Sequence, residues 1–334
     1  MKNIYRYIGS KVKMKKIIKY NPMISSLNLG DGIIVDSINS ELGKIFENNY
    51  IVDISSHLPV NYIFTQLLQN ADYKFVCGSN LLSGKLNNPF SKQWGISFWN
   101  AKKLGPAVLV GAGWQRYNDN PNCYTKAVYK KILSKEYNHS VRDEYTERQL
   151  RKCGIKNVIV TACPTMWKFT PDFCKQVNVK KANNVVTTLT DYNKNIESDR
   201  KFINTLLENY DKVYFWVQGY NDNEYIDEIT DSSRIVRIAP SLKAYDDVLN
   251  YDDIEFVGTR LHAGIRAIQH KKRSLIVSID NRAKELNKTC NINIIDRENI
   301  DSLKEYVYSD IKTEIRIPTE QIELWKGQFE EFKL

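Results

Sequence analysis

Short apolar runs alternate along this chain with longer stretches whose apolar residues recur every three or four positions. The first pattern predicts buried strands and the second predicts amphipathic helices. Lys15–Tyr20 reads as the first strand, and Asp31–Phe46 as the first helix, with Ile34, Ile38, Leu42 and Ile45 on one face. Tyr50–Ile54, Tyr73–Cys77, Ala107–Val110 and Asn157–Thr161 read as further strands. Val60–Gln69, Tyr124–Lys135 and Asp143–Lys152 read as helices. A polar stretch, 178–184, breaks the alternation, which then restarts. Val185–Leu189, Val213–Val217, Ile235–Ile238, Ile254–Val257, Ser274–Ile279 and Ile292–Ile295 are the next strands. Ser198–Asn209, Tyr225–Ile229, Ala244–Asn250, Leu261–Gln269, Arg282–Lys288 and Ile300–Tyr308 are the next helices, and a last one runs from Pro318 to Phe332.

Strand followed by helix, repeated, predicts parallel sheets covered on both faces. The expected fold class is α/β, with two Rossmann-like, doubly wound domains facing a cleft. Residues 1–180 would form the first domain and 181–317 the second. Residues 318–334 would form a C-terminal helix with a path open back to the first domain.

Composition narrows this picture. With 334 residues, 42% of them hydrophobic, the chain can bury a large core. No apolar run reaches the roughly 18 residues of a membrane-spanning helix, and the N-terminus lacks a secretory pattern. A cytoplasmic location, free or at the inner face of a membrane, is therefore expected. Cysteines 77, 123, 153, 163, 174 and 290 form no C-x-x-C pair and no zinc spacing, so free thiols and no metal site are expected. The net charge is +9. Seven basic residues fall within positions 1–20: Lys2, Arg6, Lys11, Lys13, Lys15, Lys16 and Lys19. Without them the chain is near neutral, which argues against a nucleic-acid groove. The basic segment is either a solubilising arm or a peripheral contact for anionic lipid or a lipid-linked substrate.

Candidate chemistry gathers at strand ends, where open α/β sheets bind ligands. Gly258-Thr259-Arg260-Leu261-His262 joins an apolar strand to a helix. Arg260 offers a two-pronged grip on an anion, and His262 a proton acceptor near neutral pH. A helix N-terminus disfavours imidazolium, leaving the neutral form that a general base needs. Leu261 between them would turn inward as an anchor. Asn28, Gly30 and Asp31 open the first helix, with Asp31 as the alternative of a plain N-cap. Ser79 and Asn80 follow a strand in a stretch that superficially suggests a nucleotide loop. Five residues separate its glycines, however, and Leu86 stands where such loops need Ser or Thr. Arg142 precedes a helix that Asp143 can cap, either as an anion ligand or as an ion-pair partner of Asp143 or Glu144. Thr190 and Gln218 end strands of the second domain as cleft hydrogen-bonders or simple turn residues.

Three ordered blocks resemble the polysaccharide pyruvyl transferase family. They are Asn28-Leu29-Gly30-Asp31; Ser140-Val141-Arg142-Asp143-Glu144-Tyr145 with Leu150 and Gly154; and Gly258-Thr259-Arg260-Leu261-His262 with Ala267 and the strand Ile276–Asp280. The resemblance implies a GT-B-like pair of Rossmann-like domains. It also implies transfer of the pyruvyl group of phosphoenolpyruvate onto two sugar hydroxyls, forming a cyclic ketal with release of phosphate. Arg142, Arg260 and the Leu261 backbone would bind the donor and His262 would be catalytic, with phosphoenolpyruvate as co-substrate and no cofactor. The acceptor would be a sugar of an exopolysaccharide, capsule or lipid-linked glycan. The chain departs from the family at Cys77-Gly78-Ser79-Asn80, where many members carry a glycine run, and at Ala162-Cys163-Pro164, where many carry Asp-Pro. A GT-B-type glycosyltransferase using a nucleotide sugar is the alternative reading.

Overall fold

A computed structural model describes residues 14–329 apart from 60, 89, 91 and 92. The N-terminal half opens with β1 (Lys16–Asn21), α1 (Leu29–Phe46), β2 (Tyr50–Ser55), α2 (Tyr62–Leu68) and β3 (Tyr73–Cys77). It continues through α3 (Ala101–Leu104), β4 (Val108–Val110), α4 (Cys123–Ile132), β5 (His139–Val141), α5 (Glu144–Lys152), β6 (Val158–Val160) and α6 (Pro171–Cys174). The strands pair in parallel in the order β2-β1-β3-β4, with β5-β6 as a separate pair. Winding reverses between β1 and β3, which opens a crevice at their C-terminal ends.

The pattern reading missed β5, because two of its three residues are polar. The structure gives the reason for that polarity: side chains join β5 to β4. Leu109 N–H donates to His139 Nδ1 at 3.2 Å, and Gly111 N–H donates to Ser140 Oγ at 2.8 Å. His139 Nε2 lies 3.0 Å from the Ser134 carbonyl, so the ring is the neutral Nε2–H tautomer with both nitrogens satisfied. Burial holds its pKa down at about 4.

The C-terminal half contains β7 (Asn184–Thr187), α7 (Ile196–Asn209), β8 (Lys212–Trp216), α8 (Asp222–Ile229), β9 (Ile235–Ile238) and α9 (Leu242–Leu249). Then come β10 (Glu255–Gly258), α10 (Leu261–Gln269), β11 (Ser274–Ser278), α11 (Asn281–Cys290), β12 (Ile294–Asp296) and α12 (Leu303–Tyr308). Its sheet is parallel throughout, ordered β12-β11-β10-β7-β8-β9. This is the 3-2-1-4-5-6 order of a dinucleotide-binding fold, with its switch point between β7 and β10. Two Rossmann-like α/β halves therefore face each other in a GT-B-like arrangement.

The halves share a core. Ile34 and Ile38 of α1 belong to the same buried apolar cluster as Trp216, Tyr245 and Ile268. The Trp216 and Tyr245 rings stack at 4.0 Å. Arg266 on α10 reaches Asp36 on α1 at 2.7 Å and Asp246 on α9 at 2.7 Å. α13 (Thr319–Gly327) packs on β5 and β6 in the N-terminal half. There Trp325 Nε1 donates to the Asn138 carbonyl at 2.9 Å, and Lys326 pairs with Glu41 at 2.6 Å.

Among the described residues no helix is long and apolar enough to cross a membrane. Lys2, Arg6, Lys11 and Lys13 of the basic segment lie outside the described residues, as do Val60 and Phe332. Lys19 is buried in β1 and pairs with Asp53 at 3.2 Å, which withdraws it from any surface role.

Candidate active site

The two switch points open onto one cavity of about 480 Å³ between the halves. On the C-terminal side, β10 approaches β7 so closely that a Cβ on Gly258 would lie 2.6 Å from Thr188 Oγ1. The chain then turns through Arg260, in extended backbone, into α10. Arg260 N–H donates to Thr188 Oγ1 at 3.1 Å, fixing where the side chain starts.

The Arg260 guanidinium is 4% exposed and held on several sides. Nε donates to the Leu189 carbonyl at 2.8 Å and to Asp222 Oδ2 at 3.2 Å. Nη2 donates to Asp191 Oδ1 at 2.9 Å and also to Asp222 Oδ1. Gly219 has no side chain to obstruct Nη2, and the Tyr192 ring lies 5.1 Å from the guanidinium carbon. Burial pushes the Asp222 carboxyl up to about 6, against the pull of Arg260. At Asp191 burial also pushes upward, but Arg260 and neighbouring hydrogen bonds outweigh it and leave the group below its ordinary value. One cation between two carboxylates is rigidly placed, which suits a residue that must present a fixed edge to a ligand.

Leu261 and His262 form the first turn of α10, and both line the cavity. Leu261 also packs against the shared core, as expected of an anchor. His262 Nε2 faces across to the N-terminal half and lies 3.8 Å from Cys163 Sγ.

Arg142 arrives from the N-terminal side between β5 and α5. Asp143 Oδ1 caps α5 by accepting from Thr146 N–H at 2.8 Å. Arg142 Nε donates to Asp143 Oδ2 at 3.0 Å, and its Nη1 to Asn80 Oδ1 at 2.6 Å. Gly113 leaves the space that the guanidinium fills, since a Cβ there would lie 2.6 Å from Cζ. Arg142 is thus the ion-pair partner of Asp143, and it also lines the cavity.

Asp31 is not the cap of α1. The helix starts earlier, and Asn28 caps it, with Oδ1 accepting from Gly30 N–H at 3.1 Å. Asp31 instead accepts from Ser26 Oγ at 2.7 Å and from Ser79 Oγ at 2.8 Å. Ser79 has a φ of 58° and directly follows Gly78 at 63°, a left-handed turn that brings its hydroxyl back toward α1. Gln218 crosses between the halves, with Nε2 donating to Asn28 Oδ1 at 2.9 Å. Asn28, Asp31, Ser79, Asn80 and Gln218 all line the cavity; Gly30 and Thr190 are not among the lining residues. Gly30 gives Gln218 room to approach, and Thr190 shares a 2.8 Å hydroxyl contact with Thr259.

Sequence reasoning set the strand ends that carry Asp191, Tyr192 and Asp222 at the cleft but singled out only Thr190 and Gln218 there. It passed over Arg116 and Gln115, and it treated Cys163 as a free thiol and a departure from a family pattern. Asp191 and Asp222 had a signal, since both follow second-half strands in turn-forming stretches. Arg116, Gln115 and Tyr192 line the cavity from loops with no periodic pattern. Among the described residues no group of three His, Cys, Asp or Glu side chains could hold a metal ion.

Among solved structures, the chain is similar to UDP-GlcNAc 2-epimerase of Methanocaldococcus jannaschii, at 13% identity and TM-score 0.49, covering 95% of this chain and 99% of that one. It is also similar to UDP-GlcNAc 2-epimerase of Neisseria meningitidis, at 11% identity and TM-score 0.46, covering 96% and 94%. The S. aureus MnaA structure with UDP matches at 13% identity and TM-score 0.47, covering 88% and 90%. A comparison with curated protein sequences gave no significant match. The sequence model of one family spans residues 28–281, from the Asn28 cap through β10, Arg260 and His262 to the start of α11. This chain belongs to the polysaccharide pyruvyl transferase family.

Proposed function

We propose that this protein transfers the pyruvyl group of phosphoenolpyruvate onto two hydroxyls of one sugar, forming a cyclic ketal and releasing phosphate. The observation that carries the reading is the meeting of Arg142 from one half with Arg260 and His262 from the other on a single cavity. The donor bears a carboxylate and a phosphate, which calls for two fixed cations. Arg142 and Arg260 are the donor anchors, with the Leu261 backbone at the start of α10 assisting. A sugar hydroxyl must lose its proton as it attacks C2, and His262 is the base that receives it. Arginine contacts to the phosphate oxygens stabilise the leaving group. The carboxylate, amide and hydroxyl groups of Asp31, Asn28, Ser79 and Gln218 suit the hydroxyls of a sugar acceptor. The acceptor belongs to a polysaccharide or a lipid-linked oligosaccharide, handled in the cytoplasm or at the inner membrane face. The reaction takes phosphoenolpyruvate as co-substrate and needs no further cofactor.

Donor choice tests this reading without knowledge of the acceptor. Phosphoenolpyruvate should raise the melting temperature in a thermal-shift series, and Arg260→Ala should weaken that response at least tenfold in half-saturating concentration. Stabilisation by nucleotide sugars and not by phosphoenolpyruvate would point to glycosyl transfer instead.

A further inference from the structure

Ketal formation from an enol requires an acid as well as a base, because the methylene carbon must gain a proton to become a methyl group. We propose, on the strength of the pyruvyl-transfer reading, that the Cys163 thiol is that acid and that His262 recharges it. Its position and the turn that carries it place it there. Cys163 lines the cavity together with Arg142 and His262, and its sulfur is 3.8 Å from His262 Nε2 across the two halves. The backbone that aims it is unusual: Ala162 has a φ of 60°, a conformation costly for a residue with a side chain. Gly111, itself at a φ of 62°, lets Pro164 pack directly onto the end of β4 and holds the turn in place. Gln218, which lines the same cavity, also carries a buried acceptor without a partner. Asn28 Oδ1 accepts from Gly30 N–H, so Gln218 must present its amide nitrogen to it. That leaves Gln218 Oε1 without a partner, on a side chain only 4% exposed.

Cys163 is buried, and burial pushes its thiol above the ordinary value against the opposing pull of Thr165 and Arg142. It is therefore a protonated thiol at neutral pH, which an acid must be and a nucleophile must not. The first sugar hydroxyl bonds to C2 while its proton passes to His262. The C2–C3 π pair takes the thiol proton at C3, leaving a methyl group and a thiolate. The imidazolium returns its proton to the thiolate, so both groups regain their starting forms. Phosphate then departs with the C2–O electron pair. The second hydroxyl closes the ring, and its proton passes through His262 to the released phosphate.

The test compares wild type, Cys163→Ala, Cys163→Ser and Cys163→Asp, with phosphoenolpyruvate and a panel of free and lipid-linked saccharides. Ketal is read by mass spectrometry, and kcat is separated from KM. Loss of the acid should lower kcat at least 100-fold in the Ala and Ser variants, within the usual range for general acid catalysis. Their KM for phosphoenolpyruvate should stay within about threefold of wild type, and Asp, another acid, should recover kcat to within about tenfold. An active wild type with Cys163→Ala within threefold of it overturns the proposal alone. So does a raised KM with unchanged kcat, the mark of donor binding. A wild type inert with every sugar overturns the pyruvyl-transfer reading, and this proposal with it.

Discussion

Arg260 lies between Asp191 and Asp222, and the balance of that trio is set by burial. Asp222 is fully buried, and its carboxyl is raised from 3.8 to about 6. The folded chain thus holds this proton more tightly than the unfolded chain. Its stabilising contribution is complete below about pH 4 and is lost as the pH rises through about 6. Asp222→Asn should remove that part of the pH slope in urea denaturation. A variant whose stability runs parallel to wild type between pH 4 and 6 would contradict this. His262→Ala should abolish phosphate release from phosphoenolpyruvate and leave the denaturation midpoint within the range of a surface change. Arg260 and His262 were legible in the sequence because an Arg and a His at a strand-to-helix junction stand out. Asp191 and Asp222 were not legible as partners, because nothing local indicates that residues 69 and 38 positions away meet one guanidinium.

At the scale of elements, the start of α1 couples helix capping to closure of the two halves. Asn28 Oδ1 accepts from Gly30 N–H and from Gln218 Nε2. Asn28→Ala should cost about 1 kcal/mol for the lost cap. It should cost a further 1–3 kcal/mol or so for the stranded amide of Gln218. Asn28→Asp keeps an acceptor for both donors and should stay within about 1 kcal/mol of wild type. Chemical denaturation of the two variants separates these effects, and equal losses would show that the shared acceptor is unimportant. The hydrophobic pattern gave most strands to within a residue or two, because β3, β4, β10 and β11 are buried along their whole length. It missed β5, whose hydrogen bonds to β4 run through side chains, and α3 and α6, which at four residues each are too short to show a period.

At the scale of the whole molecule, the cavity exists because α1 is wedged against α9 and α10 while α13 returns to the N-terminal half. Trp325 is fully buried among Phe75, Trp167 and Phe329. Trp325→Ala should destabilise the chain by about 3–5 kcal/mol. A change under 1 kcal/mol in denaturation would mean that α13 is not part of the folded core. The doubled α/β plan was legible from alternation alone. The path of α13 was left open, since an amphipathic helix does not reveal which surface it covers. The family resemblance set Arg142, Arg260 and His262 on one donor, and in the folded chain all three line a single cavity.

The proposed reaction moves a pyruvyl group from phosphoenolpyruvate to a sugar in this cavity. The most direct measurement incubates the protein with phosphoenolpyruvate and a panel of free and lipid-linked saccharides, and reads the products by mass spectrometry. The expected product is a saccharide carrying a pyruvate ketal, with phosphate released in equal amount and neither product formed by His262→Ala. Glycosyl transfer from a nucleotide sugar under the same conditions, with no ketal from any saccharide, would contradict it.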